Sequence, residues 1–270
     1  MDNASTLRLT IFLSVFVIMA LLEAYKPARA AVLSRRQRWA GNLSMVVLGA
    51  IVSRVMLPAT LIGVSSWAQN HSFGLFNTIG DAVPFVAVVM LCVVIQDLVI
   101  YWQHRLFHTV PLLWRVHKMH HADSHVDTTT GLRFHPIEIA ISLCVKALVV
   151  VLFGVPAVAI VIFEVALNGF ALFNHANIRF PEKWDKLVSL VFVTQRLHRI
   201  HHSQAKQYSN SNYGFSVTWW DRVFKSFTPQ EQVNDVTFQI GQKDVAATKE
   251  NASLFALLSQ PFKKSPKGSS

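Results

Sequence analysis

The stretch His104–His121, HRLFHTVPLLWRVHKMHH, constrains this chain more than any other, because it sets five histidines within eighteen residues. The run His198–His202, HRIHH, repeats the HxxHH pattern of His117, His120 and His121. Eleven of the twelve histidines lie between His104 and His202. On a helix, residues three and four apart share a face. His104 and His108 can therefore point at one place, as can His117, His120 and His121, and again His198, His201 and His202. Neutral imidazole suits iron, zinc, copper and nickel. Eight convergent imidazoles exceed what one ion takes, so two ions are expected. Neither cysteine takes part: Cys92 and Cys144 sit in apolar segments and read as small core residues. No HExxH or CxxC occurs.

The surroundings of these histidines are those of a membrane protein. Apolar residues make up 52% and charged residues only 15% of the 270. A span needs about 20 mostly apolar residues, and Leu7–Leu22, Leu43–Trp67 and Ala82–Tyr101 each qualify or nearly so. Arg54 interrupts the second of these. Ile137–Phe173 is too long for one span and is broken by Gly154-Val155-Pro156, which predicts a helical hairpin. The expected fold is thus an all-α integral membrane protein, with about three transmembrane helices, a long helical hairpin and a cytosolic helical histidine-rich cap. Its expected parts are an N-terminal transmembrane anchor over 1–80, a histidine-motif catalytic domain over 81–228, and a polar C-terminal tail over 229–270. Leu254, Leu257 and Leu258 would lie on the bilayer surface.

Charge placement orients the chain. Lys26, Arg29, Arg35, Arg36 and Arg38 crowd the loop after the first span, while 67–81 carries no Lys or Arg. By the positive-inside tendency the first loop is cytoplasmic, which puts every histidine group on the cytoplasmic side. The net charge of +10 then fits an anionic membrane face without nucleic acid. The first apolar run reads as a retained anchor and not a cleaved signal, since its basic cluster follows it.

Around the motifs, Asp97, Tyr101, His104 and His108 form one helical stripe. Asp97 is expected to orient a ligating histidine, as outer carboxylates do. Glu164 and Asn168 share a face inside the hairpin, near that of His175, a candidate ninth ligand. Asp97 and Glu164 are the candidate catalytic carboxylates. His135 is left open between ligand, supporting donor and interfacial residue. His125 and His71 read as solvated loop residues.

These motifs together, HRLFH, HKMHH and HRIHH in that order, with RFHPIE, NHAN at 174–177 and SNYG…WWDRVF, resemble the fatty acid hydroxylase / sterol desaturase superfamily over about residues 95–227. Lys225-Ser226 departs from the Gly-Thr that relatives often show. The resemblance implies that His104, His108, His117, His120, His121, His198, His201 and His202 hold two irons, with His175 completing the set and zinc able to replace iron on purification. It implies an enzyme that uses O2 and electrons from a separate ferredoxin or cytochrome with its reductase to hydroxylate or desaturate a lipid C–H bond. A bacterial inner membrane is the favoured location, or the endoplasmic reticulum in a eukaryote. The competing readings are a membrane metal-binding or transport protein and a zinc-dependent membrane hydrolase with Glu164 as base.

Overall fold

The structure, a computed structural model, describes residues 3–57, 59–232 and 238–263. Part of the polar tail, including 264–270, lies outside the described residues. The described chain is all-helical, and its β-type pairings are three isolated bridges. Five segments are long and apolar enough to cross a membrane: Ser5–Tyr25, Arg35–Ile79, Phe85–Thr109, Pro136–Phe153 and Ala157–His175.

Helix α1 (Asn3–Tyr25) is apolar nearly all round, and Leu7, Leu13, Val17 and Leu21 stay about half exposed. A helix apolar on every side belongs in lipid or in a core. Helix α2 (Arg35–Met56) opens with a capping box, in which Ser34 accepts from the Gln37 amide and the Gln37 side chain accepts from the Ser34 amide. The expected single span Leu43–Trp67 is in fact two helices. The residue before a proline is pushed out of the helical region; Leu57, before Pro58, takes φ −133° and ends α2, and α3 (Thr60–Asn70) starts afresh. Arg54 thereby falls in the last turn of α2, where a cation complements the helix dipole.

After the short α4 (Leu75–Ile79), α5 (Phe85–Thr109) runs two turns beyond the expected Tyr101 and carries His104 and His108 on that extension. Pro111 then dictates the bend. It holds Val110 extended (φ −92°, ψ 117°), which stops α5 and starts α6 (Pro111–His121) with proline in the first turn. The hairpin forms as expected. Helix α7 (Pro136–Phe153) ends at Gly154, whose φ of +64° favours glycine, and α8 (Ala157–His175) returns to the histidine end. Beneath the turn, Val150, Ile160, Leu61 and Cys92 share a buried cluster.

Short helices cap the histidine end: α9 (Glu182–Val188), α10 (Gln195–His201), α11 (Lys206–Ser209), α12 (Trp219–Val223) and α13 (Leu254–Ser259). The C-terminal segment is built into this cap. The Gly241 amide donates to the His202 carbonyl at 3.1 Å, Arg115 Nε donates to the Pro261 carbonyl at 2.8 Å, and Lys118 pairs with Asp244. The placement of the α13 leucines on the bilayer is therefore corrected. Leu257 is fully buried between Met45 and Met119, and Leu254 and Leu258 pack against the same cluster. An amphipathic face needs an apolar partner, and here α2 and α6 supply it. Leu257→Ala should cost about 2–5 kcal/mol of stability, as buried leucine truncations do. Reversible unfolding of the detergent-solubilised protein measures this, and unchanged stability would contradict the packed position.

Candidate metal centre

Nine histidines converge where α5, α6, α8 and α10 meet, and they form two groups. His104, His108, His117, His121 and His201 make one, and His120, His175, His198 and His202 the other, with ring nitrogens in each group within 4.8 Å of one another. The division corrects the expectation that each HxxHH triplet points at one place. The i, i+4 pairs His104/His108, His117/His121 and His198/His202 stay together. The histidine left over in each triplet, His120 or His201, crosses to the other group. Each HxxHH helix thus serves both groups.

Hydrogen bonds fix which nitrogens face inward. A carbonyl can only accept, so a ring nitrogen bonded to one must carry the proton. His104 Nδ1 donates to the Tyr213 carbonyl, His201 Nδ1 to Ser211 and His175 Nδ1 to Ala171, each at 2.7 Å, and His120 Nδ1 donates to Arg133 at 3.2 Å. His117 Nδ1 donates to Glu138 Oε1 at 2.7 Å. In a neutral ring so anchored, Nε2 presents a lone pair. Yet Nε2 of His104 lies 3.2 Å from that of His117 and 3.1 Å from that of His201, and Nε2 of His120 lies 3.2 Å from that of His175. Lone pairs facing one another at such distances repel unless a cation sits among them. Both ring nitrogens of His121 are buried without a hydrogen-bond partner, as is Nδ1 of His202.

Burial also keeps these rings neutral. Desolvation, reinforced by neighbouring imidazoles, pushes His120, His121, His198 and His202 well below the usual histidine range, and burial pushes His201 down to about 3. Neutral, all-nitrogen donor sets of five and four fit borderline transition metals such as iron or zinc. No thiolate competes, since Cys92 is buried in the hairpin core and Cys144 lies exposed on α7.

Three acidic side chains hold the frame. Glu138, on the first turn of α7, orients His117, a contact of the kind that raises ligand basicity. Asp221 accepts from the Tyr213 and Gly214 amides at 2.8 Å and from Ser226 Oγ at 2.6 Å, and so fixes the backbone whose carbonyl receives His104. Asp123 accepts from Thr130 Oγ1 at 2.8 Å and lies 3.5 Å from Arg133, whose Nε donates to the Met119 carbonyl. Desolvation opposes ionisation of Asp123, but Arg133 and Arg38, together with the hydrogen bonds from Thr130 and the His125 amide, hold its carboxyl below the usual range. The only sequence signal for these residues was their place in RFHPIE, WWDRVF and the segment after HKMHH.

Other residues that the sequence singles out lie elsewhere. Asp97 meets none of the nine histidines; its Oδ2 accepts from Nε1 of Trp220, on α12, at 2.7 Å. Glu164 pairs with Arg8 across α1 and α8, outside both groups. His125 is buried, not solvated, with Nε2 3.1 Å from Asn177 Nδ2. His135 caps α7, its Nδ1 accepting from the Ile137 amide. His71 is exposed, as expected. Lys225 takes φ +56°, a left-handed conformation that explains why glycine suits this position.

The fatty acid hydroxylase family profile matches residues 89–226, just over half of the chain and every one of the nine histidines. The chain belongs to the fatty acid hydroxylase family. Ornithine lipid hydroxylase OlsE of Rhizobium tropici is 26% identical over 256 residues, covering 93% of this chain and 74% of that protein. Alkylglycerol monooxygenase of Caenorhabditis elegans is 28% identical over 141 residues, covering 51% of this chain and 26% of its own length. Delta(7)-sterol 5(6)-desaturase erg3B of Aspergillus fumigatus is 26% identical over 198 residues, covering 72% of this chain and 55% of that one. No solved structure matches. As a member of this family the protein is an integral membrane oxidoreductase.

Two outcomes follow from the frame. Glu138→Gln should weaken metal binding by about 10–100-fold, while Asp97→Asn should leave it unchanged, as read against a chelator series; equal effects would contradict the assignment of Glu138. The histidines also set a pH dependence. The folded-state values of His120, His121, His198, His201 and His202 lie below the ordinary 6.5, so the stability of the metal-free protein is complete above about pH 6.5 and falls as acid protonates the unfolded chain. Metal release should follow the same direction, because ligands must be deprotonated. Stability that stays flat from about pH 7.5 to 5 would contradict buried neutral histidines.

Proposed function

We propose that the protein is a di-iron oxygenase that hydroxylates a C–H bond of a membrane lipid. The observation that carries this reading is the two sets of convergent imidazole lone pairs beside an apolar cavity in the helix bundle. That cavity, of about 310 Å³, is bounded by Phe12, Met45, Phe107, Leu132, Ile139 and Leu167, and His104 forms part of its wall. One histidine group therefore opens onto a space that a lipid chain fits, between helices that lie in the bilayer. Hydroxylation is favoured over desaturation because the relative matched along 93% of the chain is a lipid hydroxylase. The family assignment replaces the carrier and zinc-hydrolase readings with redox chemistry.

His104, His108, His117, His121 and His201 would hold one iron, and His120, His175, His198 and His202 the other. Iron so bound supplies activation of O2 and abstraction of hydrogen from an unactivated C–H bond. The chain's own part is positional. The Nδ1 bonds to fixed carbonyls lock the rings before metal arrives, so little reorganisation is left for binding. Phe107, Phe134 and Leu132 keep bulk water from the wall that carries His104. A substrate chain held there would present one carbon to the centre, which is how proximity lowers the barrier. Electrons would come from a separate ferredoxin or cytochrome docking on the capped face. By the charge asymmetry of the loops that face would be cytoplasmic, and the membrane would be a bacterial inner membrane, or the endoplasmic reticulum in a eukaryote.

Lipid mass spectrometry of cells with and without the protein tests the reading. One lipid class should gain one oxygen, and the gain should vanish with His120→Ala or His201→Ala while membrane insertion persists. A loss of two hydrogens would make the enzyme a desaturase, and an unchanged lipid profile would contradict the proposal.

A further inference from the structure

The cavity beside His104 is not uniformly apolar. Glu138, Ser142 and Lys146 stand at i, i+4 and i+8 on α7 and all three line it, making one polar wall on an otherwise apolar helix. At its far end the cavity adjoins a second one, of about 510 Å³, that contains Arg8 and Glu164; the two share Phe12, Ala50 and Asn168 as walls. Glu164 is committed to Arg8, and Glu138 to His117. Among the described residues no carboxylate lies within ion-pair distance of Lys146, although Glu164 and Arg8 are near enough to act on it electrostatically. A cation in the middle of a membrane helix is costly, and such residues persist where they pair or bind something.

We propose that Lys146 is the anchor for an anionic group of the lipid substrate, a carboxylate or a phosphate, and that the polar wall of α7 measures the distance from that anion to the oxidised carbon. The proposal rests on the oxygenase reading for the identity of the reacting end, but the anion site itself does not depend on iron. Charge complementarity argues for it: the ligand supplies the anionic partner that Lys146 lacks at contact distance among the described residues. Lys146 and Glu138 leave α7 eight residues apart, about 12 Å along the helix axis. An extended chain of about ten bonds, at roughly 1.2 Å per bond, bridges that spacing. The Arg8–Glu164 pair lies behind Lys146 and keeps the region from carrying two unmatched cations. A neutral lipid would leave the ammonium without a partner, so discrimination comes from the unpaired charge as much as from the new contact.

Thermal unfolding of the full-length, iron-loaded protein in detergent under anaerobic conditions tests the site without turnover, since a ligand that binds only the folded state raises its midpoint. Four probes are titrated: palmitate against methyl palmitate, and dipalmitoylphosphatidic acid against dipalmitoylglycerol. At least one anion should act at a concentration at least about tenfold lower than its neutral counterpart. The first pair reports a carboxylate preference and the second a phosphate preference. Lys146→Met and Lys146→Gln should each bring the ratio to about one, and Lys146→Arg should keep it. Absence of discrimination by the wild type, or its survival in a folded Lys146→Met or Lys146→Gln protein, overturns the proposal. Discrimination through Lys146 in a protein that oxidises no lipid would leave the anion site standing and remove the oxygenase reading instead.

Discussion

The structure depends on lone pairs that are made to face one another. Backbone carbonyls and one carboxylate take the Nδ1 protons of His104, His117, His120, His175 and His201, which leaves their Nε2 atoms unprotonated and in pairs about 3 Å apart. Nine buried imidazoles forgo hydration, and the facing lone pairs repel. A cation turns that repulsion into coordination, so binding energy at the site is also folding energy. The rest of the cap reads as the scaffold that holds the carbonyls still. The bend at Val110-Pro111 turns His117 and His121 back on His104 and His108. The hairpin delivers His175, and the C-terminal segment closes behind His202.

The motifs outside the histidine boxes acquire physical roles in this arrangement. SNYG supplies the carbonyls of Ser211 and Tyr213 that orient His201 and His104. WWDRVF supplies Asp221, which grips the Tyr213 and Gly214 amides, and Ser226 ties Asp221 to Tyr101 on α5. Burial raises the Asp221 carboxyl to about 6, so the three hydrogen bonds it accepts are what keep it ionised at neutral pH. RFHPIE supplies both Glu138 and, through Arg133, the carbonyl that receives His120. A loop with the wrong backbone at any of these points would misdirect a ring and not merely loosen a surface.

Much of this was legible in the sequence because hydropathy and the 3.6-residue period report local geometry. The spans, the hairpin break at Gly154-Val155-Pro156 and the histidine groups on single helices follow from those two signals, and the family resemblance completed the set with His175. What failed needed the rotation of one helix against another. The HxxHH triplets read as single faces, yet His120 and His201 cross between groups, since a one-residue step turns a side chain by about 100°. Asp97 shares a stripe with His104 but meets Trp220, because a stripe names a face without naming its neighbour. Leu257 shows the same ambiguity for an apolar face, which bilayer and protein satisfy equally well. His125 looked solvated because nothing in a polar loop announces that it will be buried against Asn177.

Each of the two histidine groups should bind one metal ion. Elemental analysis of anaerobically prepared protein measures this most directly. About two ions per chain are expected, falling to about one in His121→Ala, from the group of five, and in His202→Ala, from the group of four. A single ion in the wild type, or loss of both ions from either variant with the fold intact, would contradict two separately held ions.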